Sequence, residues 1–503
     1  MKDIEKVKKN LLIGLAGQII AVLLGVVLPK QILDHFGSEV NGLISSITNV
    51  YACIAIVEAG ITAASCQALY KPVAEKDYKT ANAVIAASHH NYRRVGRVYV
   101  GLITLLSIVY PAFVKTELTY STVALIVLFN GIGNAINFFF HSKYLVLLKA
   151  DGKQYVRSIL DTVVQVVKQI TKIALICTGF DVVVVQSVAM LVSALQMIWI
   201  TYYIKKHYDW IDLKVKPDFS AISQSKYVLA HEINYLITAN LDIMLLTVFS
   251  DLKVVSIYSL YSMLYGMITR ILLVIRNALE FKIAYAFHRS RENFLRLFET
   301  YEVCYITLAS SLISIVNFFI LPFLRQYTAE ITDVNYINTA LPPLFAMVFL
   351  FAAGRYPADA MIHISGHFQQ TKNSATAETF INLVISIVLV QFCGICGVLI
   401  GTVVSSFFRM IYLIQYVNRK IIRRSTITTY LCWGINLVLL FTANFLNRLI
   451  PVSLDNYIKI FVFCVPYSIV TLLVFYGVNF LCMPRIAQRI QMFAANLIMS
   501  KKK

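Results

Sequence analysis

The sequence predicts an all-α polytopic membrane protein with about 14 transmembrane helices, two six-helix bundles plus two extra C-terminal helices. Three observations carry that prediction. Hydrophobic residues make up 58% of the 503 and charged residues 14%, where soluble domains hold nearer a quarter charged. Mean hydropathy is +0.70, and apolar runs of about 20 residues, the length that crosses hydrocarbon as a helix, recur along the chain. The Lys and Arg fall in short clusters that alternate from one connecting segment to the next. The net charge of +19 is therefore read as topology and contact with anionic lipid, and nucleic acid is excluded as a partner.

The chain opens on MKDIEKVKKN, followed by LLIGLAGQIIAVLLGVVLPK. That run is too long for the apolar core of a signal peptide, and no small-residue cleavage site leads into a soluble segment. It reads as a retained first helix, 10–34. A short turn at Phe36-Gly37-Ser38 separates it from the second, 40–69. Polar, basic connections and short outer turns then divide 94–114, 120–148, 156–178 and 182–204. Past the midpoint, the same pattern gives 226–250, 254–280, 298–322, 342–366, 374–393, 396–417, 428–450 and 457–482. With the N-terminus inside, most of the 45 Lys and Arg lie on inner segments. The outer side carries Lys30, Lys115, Lys253, Arg325, Arg448 and Lys459. This bias predicts both termini in the cytoplasm.

No outer loop is long; the largest, 322–341, leaves no room for an extracytoplasmic domain. Inside, KKHYDWIDLKVKPDFSAISQS (205–225) is the longest polar connection and falls near mid-chain. The expected organisation is a bundle at 1–210, a linker at 211–225, a second bundle at 226–420, and helices thirteen and fourteen with a cytoplasmic tail at 421–503. A weak repeat agrees. KADGKQYVRSIL, after Leu148, aligns with HISGHFQQTKNS from His363, matching Gly152 to Gly366. The same offset takes Phe36-Gly37-Ser38 to Ser250-Asp251-Leu252. Parallel repeats of this kind build two bundles around a central cavity.

The stretch GRYPADAMIHISGHFQQTKNSATA (354–377) sits between two strongly apolar runs, yet carries Arg355, Asp359, His363 and His367 at four-residue spacing. On one helix they would share a face over ~18 Å. Charges at that depth must face protein or water, which makes them functional candidates. Pro357 lies between Arg355 and Asp359 and is expected to kink the helix, which suits a gating element; the alternative is a buried pair that fixes packing. The nine cysteines lie mostly in apolar runs and read as inert buried thiols. Cys393 and Cys396 form a CxxC within a helical stretch without a partner pair, so no metal site is predicted.

The basic residues left inside the predicted spans are Lys168, Lys172, Arg270, Arg276, Arg355 and Arg409. Lys168 and Lys172 lie one turn apart on one face; they either grip an anion or pair with acids of other helices. Arg270 has no acid three or four residues away, which favours a ligand-facing role. Arg276 has Glu280 four residues on, and an ion pair competes with a lumen role there. Arg409, near the inner end of its helix, reads as a snorkelling anchor. Among the acids, Asp242, beside Asn240, is the first choice for a coupling site, followed by Glu58; Glu378 begins helix eleven. A carboxylate in low dielectric can take a proton or bind Na+. Asp359 and His363 are gating or relay candidates, with solvent-exposed polarity as the plainer reading of His363. Asn130, Asn134, Asn137, Tyr258, Tyr261 and Tyr265 are candidate sugar contacts, though tyrosines at helical spacing are more often packing. No catalytic residue is predicted. A polysaccharide polymerase or ligase would need the long outer loop that is missing.

Three phrases carry a family likeness over nearly the whole chain: FGSEVNGLISSITNVY with VEAGITAASCQALYKPVAEKD, RYPADAMIHISGHFQQTKNSA, and NLVISIVLVQFCGICGVLIGTVVSSFFR. The chain resembles the polysaccharide flippases of the MOP (multidrug/oligosaccharidyl-lipid/polysaccharide) exporter superfamily, the O-antigen and capsule repeat-unit translocases. The resemblance implies a V-shaped pair of six-helix bundles alternating between inward and outward openings in a bacterial cytoplasmic membrane. Its substrate would be an oligosaccharide linked through pyrophosphate to a polyprenol, and a polysaccharide polymerase and other assembly proteins are implied partners. A pyrophosphate head needs a cation-lined path, which Lys168, Lys172, Arg270, Arg355 and Arg276 would supply. No organic cofactor is implied, and coupling to H+ or Na+ is left open. An inside-negative potential alone drives an anion outward by about 2.3 kcal/mol per charge per 100 mV. The same residues leave open a cation-coupled exporter of the same fold, of MATE type, or a peptidoglycan-precursor flippase. An exporter of organic cations would need an acidic lumen.

Overall fold

The computed structural model describes residues 2–54, 56–136, 142–219, 226–449 and 454–491, and all regular secondary structure within them is helical. The helices are α1 (Lys2–Ile54), α2 (Ile56–Glu75), α3 (Tyr78–Phe113), α4 (Tyr120–Ile136), α5 (Ser142–Ala150), α6 (Gln154–Cys177), α7 (Val182–His207) and α8 (Lys226–Phe249). They continue as α9 (Leu252–Arg289), α10 (Arg291–Tyr327), α11 (Leu341–Gly354), α12 (Tyr356–Ser365), α13 (Phe368–Cys393) and α14 (Ile395–Tyr416). After a π turn at Val417–Ile422 come α15 (Ile427–Leu449) and α16 (Tyr457–Cys482). Among the described residues nine helical spans are, taken singly, long and apolar enough to cross a membrane, and α4 is a shorter apolar helix. The chain is a multi-pass membrane protein.

The helices follow the expected runs, with shifted ends. The expected turn at Phe36-Gly37-Ser38 is present: Gly37 (φ 79°, ψ −178°) interrupts the helical backbone inside α1, in a conformation that favours glycine, and the second expected run is divided between the rest of α1 and α2. The expected helix at 342–366 is one span, Leu341–Ser365, interrupted at Arg355, which joins α11 to α12 while keeping right-handed helical dihedrals (φ −81°, ψ −15°), with Pro357 in the first turn of α12. Proline cannot donate an N–H to the preceding turn, so the ladder weakens just before it, as expected. The α12 helix then ends at Gly366 (φ 72°), and His367 becomes the residue before α13. The four-residue stripe therefore stops at His363; His367 lies beyond the helix end. The CxxC also lies elsewhere than expected, across the break at Gly394 that separates α13 from α14.

Contacts divide the chain into two compact units, Met1–Ser259 and Leu260–Lys503, with the boundary inside α9. In the first unit the C-terminal part of α1 is the central post. Leu43, Ile47 and Tyr51 are buried in its core with Tyr92, Tyr99 and Val123. Polar cross-links accompany that packing, because a buried hydroxyl in lipid must find a partner within the protein. Tyr51 Oη donates to the Val127 carbonyl (2.6 Å) and Tyr110 Oη to Ser46 Oγ (2.7 Å), while Ser46 meets Thr247 Oγ1 at 2.6 Å. Asn41 Nδ2 donates to Ser256 Oγ at 2.7 Å. The segment after α7 is tied to α3: Asn82 Nδ2 donates to the Trp210 carbonyl, and Tyr78 stacks on Trp210 at 4.6 Å.

In the second unit, Tyr261 and Tyr265 are fully buried. Tyr261 Oη donates to the Tyr336 carbonyl (2.8 Å), and Tyr265 Oη reaches Asn317 Oδ1 (2.8 Å) and the Pro342 carbonyl (2.9 Å). Both rings stack on Phe345. These contacts give the two tyrosines a packing role that binds α9 to α10 and α11. The two last helices both pack on α10. Trp433 of α15 packs against Gly354, so that a Cβ there would sit 1.8 Å from its ring. Gly354→Ala is expected to destabilise the protein by about 1–3 kcal/mol through overpacking. Thermal unfolding in detergent measures this, and Trp433→Leu in the same chain should recover most of the loss.

Candidate functional site

The intramembrane charges fall into two kinds: those neutralised by other charges and those held only by neutral groups. Lys168 and Lys172 are of the second kind. Both project from α6 toward α7. Lys168 Nζ donates to Ser193 Oγ (3.1 Å) and the buried Lys172 Nζ to Gln186 Oε1 (3.0 Å). Further along the same seam Gln196 Nε2 donates to Asp161 Oδ1 (2.7 Å), and the other oxygen of Asp161 takes Arg157 at 3.3 Å. So α6 and α7 are joined by a polar ladder in which the two lysines have no carboxylate partner among the described residues.

Arg270 is exposed on α9, about 27 Å along the helix from Leu252, and no hydrogen bond or ion pair is found for it among the described residues. An uncompensated guanidinium at that depth must reach water or a polar ligand. Arg276 is different. Its Nε lies 3.8 Å from Glu280 Oε2 and its guanidinium 5.5 Å from the Tyr356 ring centre. A cation so paired is half satisfied before any ligand arrives.

The neutralised kind centres on Glu378, buried on α13. One oxygen takes Arg355 Nη1, and the other lies 3.6 Å from Arg409 Nε. Arg355 Nε is 3.6 Å from Asp359 Oδ2, and Arg409 Nη1 also donates to Ser374 Oγ and to the Thr371 carbonyl (3.2 Å). Two arginines and two carboxylates thus form a closed, neutral quartet linking α12, α13 and α14. Arg409 is buried within it; it does not snorkel as expected, because Glu378 and the α13 backbone offer it nearer partners than the membrane surface. A second neutral pair was not singled out from the sequence. Buried Glu302 of α10 takes Arg424 and accepts from Thr429 Oγ1 at 2.9 Å. Its only signal was an acid inside the run TYEVCYITLASS.

Of the other candidates, Asp242 is buried on α8 and accepts from Tyr258 Oη at 2.8 Å, while Asn240 Nδ2 is turned to its own helix, donating to the Leu236 carbonyl. Glu58 falls among residues whose side chains the structure does not describe, and Asn137 lies outside the described residues. Asn130 keeps a buried side-chain N–H without a hydrogen-bond partner among the described residues. His363 is exposed and packs edge-on against Phe368 at 5.1 Å. His367 Nδ1 meets Tyr416 Oη at 2.9 Å. Among the described residues no cluster of three or more His, Cys, Asp and Glu suits a metal ion.

These features make a polytopic all-helical fold with charge held inside its spans. Neither models of known protein families nor curated proteins match the sequence. Solved structures do. The chain is similar to the lipid II flippase MurJ in an inward closed conformation, at 13% identity and TM-score 0.71, over 93% of this chain and 99% of that one. It is similar to an inward-facing multidrug resistance MATE family transporter of the MOP superfamily, at 13% identity and TM-score 0.63, over 81% and 98%. It also resembles the MATE multidrug transporter DinF-BH, at 13% identity and TM-score 0.61, over 83% and 95%. The fold is the one these MOP-superfamily proteins share. The likeness reaches that architecture and stops short of a subtype.

Proposed function

We propose that this protein is a flippase that moves polyprenyl-pyrophosphate-linked oligosaccharide repeat units from the cytoplasmic to the outer leaflet of a bacterial cytoplasmic membrane, by alternating access along a cationic path. It would supply a surface-polysaccharide polymerase and its assembly partners. The observation that carries this reading is the sign of the uncompensated charge. Lys168 and Lys172 rest on neutral oxygens and Arg270 has no described partner, whereas Glu378 and Glu302 are each already matched by arginine. Positive charge left over inside hydrocarbon has an anion as its natural complement, and a pyrophosphate needs such groups to offset its desolvation. An exporter of organic cations would call for the opposite sign. Neither reading involves covalent chemistry on the substrate. Asp242, buried and held by the Tyr258 phenol, is the group proposed to take H+ or Na+ when the carrier resets.

A peptidoglycan-precursor flippase is the second reading, favoured by the extent of the likeness to the lipid II flippase, 93% of this chain against 81% for the MATE transporter above. Its substrate carries the same pyrophosphate and needs the same cations. Deleting the gene and analysing lipid-linked intermediates by mass spectrometry separates the two. Accumulated repeat units on the inner leaflet would support the first reading, and accumulated peptidoglycan precursor the second. Unchanged levels of both would overturn the flippase assignment.

A further inference from the structure

A cavity of about 470 Å³ opens in the second unit where the start of α10, the end of α12 and the π turn meet. Its lining includes Arg291, Lys420, Arg423 and His367, beside apolar walls such as Phe287 and Ile364. No carboxylate lines it among the described residues. The neighbouring Glu292 is occupied by Arg296 at 2.5 Å.

Two local devices hold the cations in place. Arg423 and Arg424 are consecutive, yet they go separate ways. Arg424 is drawn inward, onto Glu302, Asn418 Oδ1 (2.6 Å) and the Phe298 ring (5.2 Å). Arg423 adopts a left-handed backbone (φ 55°, ψ 56°) and stays exposed at the cavity. A non-glycine residue in that region is strained, and such strain collects at functional sites. The π turn before it is a second irregularity of the same kind. Meanwhile Arg291 Nη2 donates to the carbonyls of Ile422 (3.2 Å) and Arg423 (3.4 Å), clamping the turn to the first residue of α10. His367 spends Nδ1 on Tyr416, which leaves Nε2 as its remaining polar atom.

We propose that this cavity binds the phosphate group of an anionic membrane lipid. Three cations without a local acid fit a phosphate, and the apolar walls at the ends of membrane-spanning helices fit the adjoining glycerol and acyl carbons. The basic bias of these segments puts the cavity on the cytoplasmic side, the leaflet face rich in anionic headgroups. This site is separate from the cations assigned to transport and does not depend on what is transported.

The test uses the purified full-length protein in phosphatidylcholine micelles, titrated with phosphatidylglycerol and read by native mass spectrometry. Lys420→Gln/Arg423→Gln should weaken phosphatidylglycerol binding about thirtyfold, at roughly fivefold per cation. Arg93→Gln/Arg94→Gln, which removes as much exposed charge elsewhere, should leave that binding within about twofold of wild type. Lys420→Glu alone, at an exposed site with no described bond, covers the case in which the double variant fails to fold. An equal loss in the control variant, or no loss in either pocket variant, would overturn the proposal. Displacement of the lipid by millimolar inorganic phosphate would also overturn it, in favour of a soluble phosphate as the occupant.

Discussion

Glu378→Gln is expected to lower stability by about 3–5 kcal/mol, the cost of leaving buried charge unmatched. Glu378 is the only carboxylate of the quartet that touches both Arg355 and Arg409, and its side chain is 7% exposed. Without its charge, Arg355 retains Asp359, at 3.6 Å, and Arg409 keeps hydrogen bonds only to neutral oxygens, with Asp359 as the carboxylate still near enough to act on it. Two buried guanidinium groups would then share a single carboxylate. Asp359→Asn should cost less, since its side chain is 24% exposed and water can share the load. Removing Arg409 as well, in Glu378→Gln/Arg409→Met, should be milder than the sum of the single changes, because the groups act as a unit. Thermal unfolding of the purified protein reads all of these. A loss under about 1 kcal/mol for Glu378→Gln would mean that water reaches the quartet, contrary to its burial.

Arg270→Glu should have the opposite profile: normal abundance in the membrane, and export reduced on the order of a hundredfold or more. The side chain is exposed and holds nothing among the described residues, so folding does not need it. A carboxylate in its place would repel the pyrophosphate of the proposed substrate, which a guanidinium would attract. Arg270→Lys keeps the charge and loses the planar fork, so it should retain partial activity. Lys168→Glu/Lys172→Glu should impair export as well, with a folding penalty because Lys172 is buried against Gln186. Surface polysaccharide, normalised to membrane abundance, is the measurement. Full export by both charge-reversed proteins would remove these residues from the path.

Most of the helical architecture is legible in the sequence because bilayer thickness sets helix length. That signal is local. The weak point before Pro357 is legible, since proline removes a backbone donor and the ladder is interrupted at Arg355; that Trp433, from a distant helix, lies against Gly354 is not. The charged residues show the same limit. Four-residue spacing put Arg355, Asp359, His363 and His367 on one notional face, and Gly366 ended that face early. Arg409 read as an anchor because its partner Glu378 lies on another helix, and pairing across helices leaves no mark in a single sequence. Lys168 and Lys172 were visible as intramembrane cations; that both turn toward α7, onto Ser193 and Gln186, was not.

The central claim is that an anionic lipid-linked oligosaccharide crosses the membrane through this protein. It is tested most directly by reconstituting the purified protein in liposomes with a polyprenyl-pyrophosphate oligosaccharide placed in one leaflet. Transfer is followed by the accessibility of the sugar to an added lectin or glycosidase. The account predicts transfer well above that of protein-free liposomes, lost in the Arg270→Glu protein. Transfer no faster than in empty liposomes, with a correctly folded and inserted protein, would contradict it.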